Sequence, residues 1–133
     1  LQENKDTFTV NPENAYGNNI SPLDVTVKQN GATLLVSIGT NSRFVPPVDL
    51  PKNPGVSDSK EPLTLSSSVI GKSNVFAFQV VRKSTGTKLW DTSIGGMQFA
   101  DKFIQIATYL PSRNLFGFGQ HIHHRLKVKN LTI

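Results

Sequence analysis

From Val75 to His124 the chain runs strand, turn, strand in quick succession, and that rhythm confines it to a β-fold. Val75–Arg82 is an apolar, β-prone run, and Lys83-Ser84-Thr85-Gly86-Thr87 reads as the turn of a hairpin. Lys88–Thr92 returns, and Gly95-Gly96 interrupts the line. Met97–Ala100 and Phe103–Tyr109 follow as short strands, with Pro111–Asn114 as the next turn and Leu115–Gly119 with Ile122 closing the stretch. Nowhere does the apolar spacing follow a helical period.

The first half has the same character. Leu1–Val10 is polar up to Phe8 and suits an edge strand, and Asn11–Asn19 is a loop of residues that tolerate unusual backbone angles. Leu23–Lys28 alternates strictly, so one face is buried and the other wet. Asn30-Gly31 then signals a tight hairpin. The return run Ala32–Ile38 is apolar on both sides, which predicts a central strand. Arg43-Phe44-Val45-Pro46-Pro47 reads as a sheet edge or strand exit, since proline donates to no ladder. A Pro-rich surface loop spans about 46–62, Leu63–Ile70 adds a strand, and Gly71–Asn74 turns into the opening stretch. The expectation is an all-β antiparallel sandwich of about nine to eleven strands, one domain over 1–133.

Composition narrows the chemistry. With no cysteine there is neither a disulfide nor a thiolate site. No apolar run is long enough to span a bilayer, and no signal-peptide pattern opens the chain. Leu1 stands where a start methionine would, as expected of a piece of a longer product. The net charge of +5 is uneven, with nine of the 14 basic residues but only two of the nine acidic ones in 66–133. Those basic residues fall at turns (Lys72, Lys83, Lys88, Arg113) and in the tail (Arg125, Lys127, Lys129), a solvated rim and not a nucleic-acid face.

The order of short segments is similar to that of a known family. Val80–Arg82, Gly86, Trp90-Asp91-Thr92-Ser93-Ile94-Gly95, Phe99–Asp101, Ile104–Ser112 and Phe116–His123 all occur in sequence. Together they resemble the N-terminal β-sandwich domain of glycoside hydrolase family 31, of the maltase-glucoamylase and sucrase-isomaltase type. The resemblance implies a galactose-mutarotase-like sandwich packed on a catalytic barrel in an α-glucosidase acting on maltose-type α-glucosides. It departs at Gln120, where the family has Glu, and after Arg125, where the family's continuation is replaced by Leu126–Ile133.

The resemblance places both catalytic aspartates in the barrel, so no catalytic residue is expected here. Asp91 and Asp101 match sandwich positions and are expected to cap turns. His121, His123 and His124 cluster, and two of them would share a strand face, yet no Cys and few carboxylates are near to complete a metal site. Gly117-Phe118-Gly119 lacks the third glycine of a dinucleotide loop and the lysine of a P-loop. No metal and no cofactor are therefore expected. Trp90 is the one candidate for stacking on a sugar, and Asn19-Ile20-Ser21 and Asn130-Leu131-Thr132 are glycosylation sequons. They fit the extracellular or lumenal setting that the resemblance implies, in the secretory pathway. The alternative is a stand-alone, truncated module that binds carbohydrate or protein without hydrolysing anything. Its partner would be a second copy in place of the catalytic barrel of a parent enzyme, because a shortened sandwich leaves a sheet edge to cover.

Overall fold

A computed structural model of the chain describes residues 1–10, 17–41, 43–49, 51–71, 74–112, 114–116 and 125–127. Among these residues the protein is all-β, with no helix and ten strands, inside the expected range. In chain order they are β1 (Gln2–Phe8), β2 (Leu23–Asn30), β3 (Thr33–Gly39), β4 (Leu63–Ile70) and β5 (Val75–Arg82). β6 (Lys88–Asp91), β7 (Met97–Phe99), β8 (Ile104–Ile106), β9 (Asn114–Phe116) and β10 (Arg125–Lys127) follow. β9 and β10 pair with each other, and the other eight strands form two antiparallel sheets.

The first sheet has the order β1-β2-β3. The alternation along Leu23–Lys28 works as expected, with Leu23 and Val25 turned inward and buried. The chain reverses at Gly31-Ala32, because Asn30 pairs with Thr33 and Gly31 takes the positive φ of 61°. The turn therefore sits one residue later than Asn30-Gly31 suggests, with Gly at the first central position of a two-residue loop. The position of the return strand is a correction. β2, not β3, is central, and β3 is an edge beside which the Pro-rich stretch from Val45 to Lys52 runs. Its extra apolar residues meet that stretch and not a further strand. No strand forms among the described residues from 43 to 62, where Val45, Val48 and Val56 are exposed and Pro54 is the buried anchor.

The second sheet runs β4-β5-β7-β8, with β6 also hydrogen-bonded to β5 beside β7. The two short strands share one edge of β5, since Phe76 opposes Met97 while Val80 opposes Trp90. A register shift at Val80/Val81 lets the turn around Gly86 close, with Gly86 N donating to Arg82 O at 2.8 Å.

Between the sheets lies the core of Val10, Leu23, Val25, Phe76, Phe78, Val80 and Phe99. The Phe8 and Phe76 rings meet across the sheets with centroids 5.0 Å apart. Packing is uneven, because the inner face of β1 is polar apart from Phe8. Its Gln2, Asn4 and Asp6 oppose Gln29, Val27 and Val25, and a cleft of about 270 Å³ opens where they face Leu65 and Ser67 of β4. The opposite end is closed by main chain, with Ile20 N donating to Phe99 O at 2.7 Å and Asn19 bridging Ala100.

Candidate functional site

The segment Asp91–Gly96 is densely hydrogen-bonded. Asp91 ends β6 and is 3% exposed. Its Oδ1 accepts from Ser93 N at 3.0 Å, an Asx turn, and its Oδ2 accepts from Lys88 Nζ at 3.0 Å. The Ser93 hydrogen bonds, then the Lys88 ammonium, hold the Asp91 carboxyl down from an ordinary 3.8 to about 2. Next to it Thr92 is fully buried. Its hydroxyl accepts from Phe78 N at 2.8 Å and donates to Phe78 O at 3.0 Å, so a side chain replaces a strand in satisfying β5. Thr92 O in turn accepts from Gly96 N at 2.6 Å. Tyr109 N donates to Asp91 O at 2.7 Å, which ties the chain beyond β8 to the same point.

A depressed carboxyl has one sign of pH dependence. Asp91 contributes its full stabilisation above the unfolded-state pKa and loses it as pH falls toward about 2. The gap in melting temperature between wild type and Asp91→Asn is therefore expected to be widest near neutrality and to shrink steadily below about pH 4. Thermal unfolding followed across that range checks this, and a gap independent of pH counts against it.

A second constellation joins segments far apart in sequence. Arg43 Nη1 donates to Asp101 O at 2.9 Å and to Asp101 Oδ1 at 3.1 Å, and the guanidinium lies 5.3 Å from the Phe99 ring centroid. Asp101 is an exposed structural clasp, and its partner could not be found by spacing along the chain.

A concavity of about 810 Å³ lies on the outer face of the first sheet under the Pro-rich stretch. Three of its charges, Glu3, Lys5 and Lys28, are engaged with one another. Glu3 accepts from Lys5 at 3.1 Å and lies 3.8 Å from Lys28, whose Nζ also donates to Asn53 Oδ1 at 3.2 Å. The hydrogen bond from Lys5 leads in lowering the Glu3 pKa. Glycoside hydrolysis asks one carboxyl of a pair to stay protonated near neutrality. Among the described residues the carboxyls with shifted pKa values, Glu3 and Asp91, both move the other way.

Trp90, the candidate for stacking on a sugar, lies in β6 opposite Val80. It is half-buried, packs against the core cluster, and its Nε1 is enclosed without a hydrogen-bond partner. The ring serves the sandwich interior. Asn19 is also half-buried, its Oδ1 accepting from Phe99 N at 3.3 Å. Asn130, His121, His123, His124, Gln120 and the Gly117-Phe118-Gly119 run lie outside the described residues. Among the described residues no three His, Cys, Asp or Glu side chains gather as a metal site would need, and no helix is long and apolar enough to cross a membrane.

Comparison with known proteins places these features in context. No protein-family model matches the chain. It is 39% identical over 127 residues to intestinal sucrase-isomaltase of Rattus norvegicus, covering 89% of this chain but 7% of that protein. It is 32% identical over 118 residues to intestinal sucrase-isomaltase of Homo sapiens, covering 84% and 6%. Lysosomal alpha-glucosidase of Rattus norvegicus is 34% identical over 83 residues, covering 62% and 8%. The chain thus spans only a small part of the length of each curated relative it matches.

Proposed function

Because this chain is homologous over most of its length to the α-glucosidases of glycoside hydrolase family 31, we propose that it is a non-catalytic, N-terminal sandwich segment of such an enzyme. One observation carries the reading. The residues that match the family's segments are occupied in holding the sandwich: Asp91 caps a turn, Thr92 satisfies β5, and Asp101 anchors Arg43. Their engagement in the fold supports a structural role for these three side chains. In this reading 1–133 is one domain with the galactose-mutarotase-like architecture, and the parent's barrel supplies the hydrolysis of maltose-type α-glucosides. The names of the relatives, intestinal and lysosomal, support a lumenal or extracellular setting. Asn19 and Asn130 are the positions a glycan would occupy.

Purified residues 1–133 are expected to release no glucose from maltose and no nitrophenol from nitrophenyl-α-glucoside. Turnover above a no-enzyme blank, retained after further purification, overturns the proposal.

A further inference from the structure

The second sheet is wider than the sheet that covers it. Register puts Ile104 opposite Phe99 and Ile106 opposite Met97, so both isoleucines belong to the core-facing side. Yet Ile104 is 58% and Ile106 41% exposed, and Ile94 and Tyr109 nearby are each more than half exposed. β8 is also an open edge. Ala100 N donates to Phe103 O and Ala107 N to Gly96 O, so residues 103, 105 and 107 turn their main-chain groups toward β7. The N–H and C=O of Ile104 and Ile106 therefore point outward, and no strand pairs with that side among the described residues.

Both edges of the first sheet are guarded. β1 carries Glu3 and Lys5 on one face and Asp6 on the inner face, and β3 is flanked by the Pro-rich stretch. Inward charges and proline are the usual devices that keep an edge from pairing. β8 has neither, and from Phe103 to Ser112 the chain holds no charged residue and only Pro111, which lies beyond the strand.

We propose that β8 is a self-pairing edge at which two copies of this chain join their second sheets into one continuous antiparallel sheet. The strand is complementary to itself. A two-fold axis through Gln105 sets Ile104 against the partner's Ile106, and the outward N–H and C=O groups of both are then satisfied. The flanking charges fall on neutral residues, Lys102 opposite the partner's Thr108 and Asp101 opposite the partner's Tyr109. Four isoleucines line one face of the junction and cover the apolar surface that the first sheet leaves bare.

Sedimentation velocity of the full 133-residue chain over a concentration series tests the proposal. A monomer–dimer equilibrium is expected for the wild type. Ile104→Lys sets like charges beside each other at the junction, and Ile106→Pro deletes one outward donor without touching the β7 ladder. Each is expected to weaken the dimer at least about tenfold, with an unchanged circular dichroism spectrum showing that the fold persists. Lys5→Glu, on the guarded β1 edge, is expected to leave the equilibrium unchanged. A wild-type chain that stays monomeric throughout overturns the proposal, as does a dimer indifferent to both β8 substitutions in folded variants.

Discussion

Phe76→Ala is expected to remove about 3–5 kcal/mol of stability, read as a fall in the midpoint of urea-induced unfolding. Phe76 is 0% exposed, its ring centroid lies 5.0 Å from that of Phe8 and 6.0 Å from that of Phe78, and it is the largest of the fully buried side chains. It belongs to β5, which pairs with three of the other four strands of its sheet. Those neighbours are held by main-chain ladders and cannot collapse far into the void, so most of the cavity cost remains. Total stabilities of small domains are about 5–15 kcal/mol, so this one change brings the chain near the point of unfolding. Phe44→Ala, at a ring 84% exposed, is expected to cost almost nothing. Comparable losses at the two positions contradict the assignment of Phe76 to the centre of the core.

Gly96→Ala is expected to cost about 2–5 kcal/mol, in two separable parts. Gly96 has a φ of 68°, in the left-handed region where a Cβ is strained. An added Cβ would also stand 2.5 Å from Val75 Cγ1 and 2.7 Å from Phe76 O, and the second of these is main chain in the central strand. The conformational part can be isolated with Gly86→Ala. Gly86 has a nearly identical φ of 69°, but an added Cβ there meets nothing within 4 Å. That variant is expected to lose only about 1–2 kcal/mol. Urea unfolding of both variants gives the steric part by difference, and equal losses show that Gly96 is not in close contact with β5.

Much of this architecture is legible along the chain because its signals are local. Alternation over Leu23–Lys28 requires only that one face be buried, and the composition of Lys83–Thr87 closes a hairpin without help from elsewhere. Lateral order is different. Ala32–Ile38 has the apolar content of a central strand, but its position was decided by where the Pro-rich stretch settled. The Phe103–Tyr109 run contracts to β8 plus a bridge at Tyr109 because Asp91 draws that end toward β6. Arg43 and Asp101 are each visible as parts of family-like segments, yet their pairing depends on how the sheets dock. Trp90 could face solvent or core by periodicity alone, and the pairing with Val80 turned it inward. As a result the strands could be predicted, while the roles of the polar residues needed the assembled sandwich.

The tie between Asn19 and Phe99 also bears on the order in which the molecule assembles. It spans 80 residues, whereas the β2–β3 turn spans two. Closing the longer loop costs about 3 kcal/mol more in chain entropy than closing a tight turn. The two meanders can each zip from their own turns, and nothing before the final encounter repays that difference. Phe8 meets Phe76 only at that encounter. Until it happens both half-cores face water, so the slow and vulnerable interval in the life of the chain is the wait for its two sheets to find each other.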